Sequence, residues 1–554
     1  MARKLLTGLE LEMNGPSGAV DVLIVGSGAS AVNAAVPLVQ AGLRVRMLDV
    51  GYRDERYAPL IPDLGFSEIR NEDPGQHRYF LGDRSCGIGF GQTGAGAQLT
   101  PPRQFVCRAT DELTPVESEE FFPIESLARG GLAAAWGAGC PPFAEADLAG
   151  LPVSLADLAP HYENVAERIG ISGARDELLP FLGDLRSMQP AVEIDENAET
   201  ILRRYVQKRE RINRNGLFVG RPRLAMLSRA HRGREPQRYH DMDFWSDHGR
   251  SVYRPQWTLD ELCSHENFDY CSGRLVERFV DSGGDGVEFI ARKLSGGGEE
   301  RHSGRRAILA AGTLGTARIV MRSLNLYGRR LPLVCNPHTY VAMLNLEMLG
   351  RTARDTRHSM AQLCAVYAPD GASGETTVGH LYSYRSLHLF RLAKDSPLPM
   401  PQGLRVFRLL VSCLTVLIVQ HADEPGPDKT CTLAPGENDG PDRLLVSYRR
   451  SPEERAAADR IERSMLGGFR AMGCLPLRKV HPGEAASVHY AGTLPMTSAE
   501  QPLTCDLDGR LRGTASVHVA DGSLFPRLPS RGLTFTMMAQ ADRIGGLVRD
   551  GLKR

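Results

Sequence analysis

The chain has 554 residues, 42% of them hydrophobic and 24% charged, which is enough for at least two packed domains rather than a single core. Lys plus Arg and Asp plus Glu each number 66, so the formal net charge is zero. This excludes a general electrostatic attraction to nucleic acid or a membrane surface and makes a small molecule the expected partner. Eleven cysteines, an odd number without paired spacing, argue against a complete disulfide framework or a zinc ribbon, and no metal-ligand pattern is visible. A reduced cytoplasm is the expected location.

The N-terminal MARKLLTGLELEMNG contains no uninterrupted apolar run before Glu10, so it does not resemble a secretory signal. The string VLIVGSGASAVNAAVPLVQAGLRVRMLD, residues 22–49, then reads as strand, glycine turn, helix and second strand. Gly26 and Gly28 permit the tight turn, and Ala31 is small enough for the helix to pack on the strand, giving GxGxxA. The free N–H groups at the helix start, around Gly28 and Ser30, suit a pyrophosphate. Asp49, ending the second strand, suits a ribose 2′-hydroxyl and would repel a 2′-phosphate. Gly42 stands where the helix needs its C-cap. Pro37 is discordant, since an interior proline costs a helix about 3 kcal/mol unless the helix kinks.

Residues 51–120 are rich in Gly, Pro and charge and read as long loops. Residues 154–170 have helical spacing. Residues 173–260 mix basic helical stretches with aromatic and polar loops, an insertion expected to cover the site. GRLVERFV (273–280) and GVEFIARKL (286–294) form a hairpin around Gly-Gly-Asp-Gly. Residues 305–323 repeat the strand, glycine turn and helix of the opening. Several strand-like runs over 331–420 suggest a second, antiparallel sheet forming a substrate wall. Within them LLVSCLTVLIV (409–419) is too short to span a bilayer, which takes about 20 apolar residues, and reads as a buried strand, with a lipid-facing patch near the active-site entrance as the alternative. Residues 451–473 are strongly helical, with Ser451 as N-cap and Gly473 as stop.

Three C-terminal blocks follow: SVHYAGTLPM (487–496), SVHVADGSLFP (516–526) and GLTFTMMAQADRIGGL (532–547). In order and spacing, with the N-terminal fingerprint, they resemble the glucose–methanol–choline (GMC) oxidoreductases. The resemblance spans about residues 20–550. It implies an α/β chain with an α+β second domain: a Rossmann-like FAD-binding domain and a substrate domain built on an antiparallel sheet. The corresponding division is FAD-binding at 18–150 and 261–330, the insertion at 151–260, the substrate-binding domain at 331–485 and a C-terminal FAD and active-site segment at 486–554.

By the same resemblance His489 is the active-site base, accepting a hydroxyl proton while hydride passes to flavin N5. An imidazole suits that task because its ordinary pKa of about 6.5 lies near operating pH. Asp521 and Gly522 match the segment near the ribityl chain and pyrophosphate, whereas His518 is expected to pack. LARGGLAAAWG (127–137) resembles the segment that lies against the isoalloxazine ring, placing Gly130, Gly131 and Trp136 there. Its tryptophan is nearer the pyranose-oxidase-like branch. Ala135 replaces the histidine that bonds flavin in covalent relatives, so FAD is expected to be non-covalent. Val276 and Gly312 match positions around adenine and ribose.

The family usually places an asparagine or histidine, as a second catalytic residue, where this chain has Gly532. Arg531 beside it is the substitute considered, as a cation stabilising an alkoxide or the anionic reduced flavin; failing it, the partner of His489 is expected from the 331–420 sheet. The implied activity is FAD-dependent oxidation of a CH–OH group in a sugar, aminosugar or glycosylated natural product. Oxygen or another acceptor takes the electrons. A non-redox flavoprotein lyase and a degenerate flavin-binding protein stay open as alternatives.

Overall fold

The strand Val20–Val25, the turn at Gly26–Gly28 and the helix Ala29–Gln40 form as the fingerprint dictates, and the strand Val45–Leu48 returns parallel beside the first. Gly26 adopts φ +89°, and a Cβ there would lie 2.5 Å from the Ala310 carbonyl oxygen, so the turn requires glycine. The computed structural model describes residues 20–83, 101–238, 247–351, 357–383, 397–438 and 440–553. The N-terminal segment read for a signal, and parts of the 51–120, 173–260 and 331–420 stretches, lie outside these residues.

Phe268–Cys271, Val45–Leu48, Val20–Val25 and Glu299–Leu309 lie parallel in that order. The far edge of the long strand Glu299–Leu309 is shared. Its first half pairs antiparallel with Val287–Lys293, the partner of Arg274–Asp281 in the expected hairpin, and Ala307 to Leu309 pair parallel with Val517–Val519. The C-terminal segment is thereby threaded into the N-terminal sheet. Val25, Asp49, Gly312 and Asp521 all fall at or just beyond the carboxyl ends of parallel strands, where such sheets bind ligands.

The second sheet is antiparallel throughout. Its order is Cys474–Val480, His338–Asn345, Leu414–Gln420, Thr377–Ser383, Leu363–Tyr367 and Leu217–Gly220. The last strand comes from 173–260, the stretch expected to cover the site, and adds an edge to the second sheet. The period-2 alternation of strands decides the faces. Val341, Met343, Leu363, Leu381, Leu417 and Val419 pack under the helices Glu196–Asn213 and Pro452–Ala471 through Ile201, Tyr205, Met465 and Phe469. The opposite face carries His338, Tyr340, His380, Tyr382, Ile418 and Gln420.

Two local expectations change. Residues 409–419 are not one strand: Leu409 and Leu410 end the helix Met400–Leu410, and only after a turn at Cys413 does Leu414–Gln420 begin. The described part of 51–120 holds short helices, Phe66–Glu72 and His77–Phe80 among them, and the strand Val116–Glu117. That strand joins a small sheet with Arg443–Tyr448, Lys429–Ala434 and Arg330–Pro332.

The packing accounts for Pro37. The C-terminal helix Thr534–Lys553 crosses Ala29–Gln40 at Gly545, where a Cβ would lie 2.2 Å from the Ala34 carbonyl oxygen and 2.8 Å from Pro37 Cγ. The pyrrolidine ring fills the notch that Gly545 leaves. Asp542, one turn earlier, fixes this helix by accepting from His161 and Arg168, each at 2.8 Å, on the helix Leu155–Ile169. Gly545→Val should therefore force the two helices apart and cost roughly 3 kcal/mol, the upper range for overpacking, because backbone stands in the way. Urea unfolding checks this; a stability equal to wild type would mean that the crossing is looser than the contacts show.

Candidate active site

One cavity of about 400 Å³ runs from the N-terminal glycine turn to the alternate face of the antiparallel sheet. Gly26, Gly28, Ser30, Asp49, Gly131, Trp136, Val276, Gly312, His489, Asp521, Gly522 and Gly532 all line it. Gly130 and Arg531 are not among the lining residues, and His518, in the strand Val517–Val519, also lies outside it.

At the dinucleotide end, Ser27 ties three segments together. Its hydroxyl donates to Asp49 Oδ2 and accepts from the Gly130 amide at 2.9 Å. The Tyr270 hydroxyl reaches the same Asp49 oxygen at 3.0 Å. Burial pushes the Asp49 carboxyl up to about 6, against the opposing effect of the Ser27 and Tyr270 hydrogen bonds and the Arg129 charge. Gly130 and Gly131 adopt φ +93° and +59°, and a Cβ on Gly131 would come within 3.1 Å of Gly28 Cα. The 127–137 segment therefore lies backbone to backbone over the fingerprint turn. Gly130 shapes this cover rather than lining the cavity.

These residues fit FAD. The Gly28–Gly131 cradle is one that a Cβ would fill, Ser30 Oγ at the helix start is buried without a hydrogen-bond partner, and Gly312, at φ +81°, opens to the cavity with nothing within 4 Å of a Cβ. Asp521 caps the short turn Gly522–Leu524 through the Ser523 amide at 3.0 Å and also accepts from Thr316. Gly522 has no room for a side chain, since a Cβ would lie 2.6 Å from the Tyr490 carbonyl oxygen.

At the other end stands His489. The residue before it, Val488, has φ +59°, a conformation that a β-branched residue adopts only when its surroundings impose it. Such strain marks sites that position a side chain. Burial pushes the His489 imidazole down to about 4, and Nδ1 is buried without a partner. His338 stands edge-on to it, ring centroids 5.9 Å apart. Burial also holds His338 well below the usual histidine range, helped by its histidine neighbours, and pushes His380 down to about 4. Trp136 lines this region with its indole N–H fixed to the Tyr253 carbonyl at 2.6 Å, and Tyr340, Tyr382 and Gln420 complete it.

Ser27, Tyr270, His338 and His380 were not singled out from the sequence. Ser27 sits inside the GxG turn, and the histidines and tyrosines alternate at i and i+2 in apolar strands. Polar residues at that period are a legible sign of a sheet face turned toward a site.

Arg531 is elsewhere. It is fully buried, its Nη1 donating to the carbonyls of Pro142 at 2.8 Å and Phe181 at 3.1 Å and its Nη2 to Thr376. Nε lies 2.9 Å from Asp147 Oδ2, at an angle that makes the contact an ion pair rather than a hydrogen bond. A guanidinium held by these partners is a structural tie, and the reading of Arg531 as a substitute for the missing side chain at Gly532 is withdrawn.

Residues 430–541 match the family description GMC oxidoreductase. In that C-terminal stretch the chain is similar to the GMC oxidoreductases. Paromamine 6'-oxidase of Streptomyces fradiae is 24% identical over 560 residues, covering 94% of this chain and 90% of that protein. The crystal structure of pyridoxine 4-oxidase from Mesorbium loti superposes with a TM-score of 0.59 at 14% identity, covering 95% of this chain and 98% of the other, and shares its fold. The chain is an FAD-dependent alcohol oxidoreductase acting on CH–OH groups. No helix among the described residues is long and apolar enough to cross a membrane.

Arg531→Met should leave the buried Asp147 carboxylate unpaired and lower stability by about 3 to 5 kcal/mol. Whatever fraction folds should reduce its flavin at the wild-type rate. Unchanged stability with slowed anaerobic reduction would return Arg531 to the reaction.

Proposed function

We propose that this protein oxidises a CH–OH group of a sugar, aminosugar or glycosylated natural product to the carbonyl, with non-covalent FAD and with His489 as the base. The observation that carries the reading is a buried imidazole, its Nδ1 without a partner, at the junction between a dinucleotide cavity and an aromatic, hydrogen-bonding sheet face. Bound FAD supplies the hydride acceptor. The chain does the rest. Ser27, Asp49 and Gly131 hold the nucleotide end, and His489 accepts the hydroxyl proton at a ring nitrogen that burial keeps deprotonated. Tyr340, Tyr382 and Trp136 supply aromatic surface suited to the C–H groups of a sugar ring, and Gln420 an amide suited to its hydroxyls. The relative named paromamine 6'-oxidase supports an amino-sugar hydroxyl. Ala135, buried against the cavity, has no atom with which to bond flavin, which supports non-covalent binding.

Anaerobic reduction against a panel of paromamine, glucose, pyridoxine and benzyl alcohol tests the reading. Sugar-like alcohols should bleach the flavin fastest; release of an aldehyde without bleaching would make the protein a lyase instead. His489→Ala should slow bleaching by roughly 100-fold or more, with substrate affinity less affected, and wild-type kinetics would remove His489 from the mechanism. Acid precipitation should release intact FAD into the supernatant, whereas flavin retained in the pellet would show a covalent bond.

The pH dependence follows from the sign of the shifts. Because the imidazole is pushed down to about 4, it stays in the proton-accepting form at ordinary pH, and the acid limb of kcat/KM should fall near pH 4 to 5. A limb at 6.5 or above would contradict this. With His338 and His380 likewise depressed, the unfolded chain binds more protons than the folded one between about pH 6.5 and 4. These histidines therefore make folding stability fall as pH is lowered through that window.

A further inference from the structure

The proton leaving a hydroxyl is only half of what His489 must manage. As the O–H proton departs, negative charge builds on the oxygen, and a hydroxyl held by one acceptor still rotates about its C–O bond. A second contact, from a hydrogen-bond donor, both fixes that rotation and stabilises the charge. Gly532 adjoins His489: a Cβ there would lie 3.8 Å from His489 Cε1 and 3.7 Å from Pro141 Cγ, ordinary contact distances, yet glycine offers no donor. Gly532 is also absent from the positive-φ residues, so nothing in its backbone requires glycine.

The donor is available from across the cavity. His338 begins the strand His338–Asn345, and its ring stands 5.9 Å from that of His489 at an interplanar angle of 86°. Its Nε2 is buried without a hydrogen-bond partner among the described residues. Gln420, paired with His338 across the two strands, likewise has a buried Oε1 without a partner. Two adjoining polar ends without partners in a lined cavity are uncommon in a finished core and call for a ligand. His380 also lines the cavity on the same sheet face, but no ring contact joins it to His489.

We propose that His338 is the second catalytic residue, donating an imidazole N–H to the substrate oxygen while His489 takes its proton. This rests on the reading of His489 as the base. The balance is complete: the O–H proton goes to His489, the α-hydrogen leaves with its electron pair to the flavin, and the oxygen lone pair closes the C=O bond. His338 gains and loses no proton. The residue has changed side, from the turn before the C-terminal helix to the substrate sheet.

The test has an arm that needs no substrate. Binding of 2,2,2-trifluoroethanol, a hydroxyl that resists oxidation, is followed in the holoenzyme by perturbation of the flavin absorption. Its affinity should fall roughly threefold to tenfold in His338→Ala, the scale of one neutral hydrogen bond, and stay within twofold in His380→Ala. Equal affinity in wild type and His338→Ala overturns the proposal, whatever the natural substrate. In the second arm, with paromamine as reductant, His338→Ala should slow anaerobic bleaching by roughly 30-fold or more, with KM rising by no more than the threefold to tenfold of the first arm. His338→Ala combined with Gly532→Asn should recover at least a third of the wild-type rate, because the carboxamide restores a donor beside His489. Loss of rate without rescue, together with an equal loss in His380→Ala, would show that the sheet histidines act only as packing. If paromamine fails to bleach the wild type, the substrate reading fails and the trifluoroethanol arm alone decides the role of His338.

Discussion

A single hydroxyl, that of Ser27, sets the geometry on which the rest depends. It joins the fingerprint turn to Asp49 at the end of the neighbouring strand and to the Gly130 amide in the covering segment. Three stretches distant in sequence are thereby held at one point, inside a buried region where each unmade hydrogen bond would cost about 1 to 3 kcal/mol. Gly28 and Gly131 meet backbone to backbone at that point, and the cavity runs from there to the second sheet.

The second sheet answers with an alternation of its own. One face of the sheet is spent on the helices Glu196–Asn213 and Pro452–Ala471, and the other face of His338–Asn345, Leu414–Gln420 and Thr377–Ser383 turns to the cavity. There the sequence has placed histidine, tyrosine and glutamine rather than leucine. Packed together and away from water, these imidazoles are all driven toward the neutral form. Once one of them takes a proton, burial and like charge disfavour a second, so neighbouring rings are kept available as donors. A neutral acceptor facing neutral donors is a suitable setting for removing a proton from an alcohol, whose oxygen is uncharged in the ground state and gains negative charge as its proton leaves.

Much of this was legible in the chain. The fingerprint, the hairpin at 274–293, the helix after Ser451 and the order of the C-terminal blocks are local patterns, fixed by glycine turns, caps and hydrophobic period, and they appear where expected. What escaped depends on contacts between distant segments. Pro37 makes sense only beside Gly545, Leu217–Gly220 is a strand only because Leu363–Tyr367 offers it an edge, and Arg531 is occupied by Asp147, Pro142, Phe181 and Thr376 from elsewhere in the chain. Adjacency to Gly532 made Arg531 look like a replacement. Its side chain points into the protein because a buried carboxylate and buried carbonyls wait there, which no spacing along the chain reveals.

A crystal structure of the holoenzyme tests the central claim most directly, since it locates the whole cofactor at once. The account predicts a ribose hydroxyl on Asp49, pyrophosphate at the Gly28 turn, and the isoalloxazine ring between the 127–137 segment and His489, with no bond to Ala135. A flavin ring lying away from His489, or a nucleotide that bypasses Asp49, would contradict it.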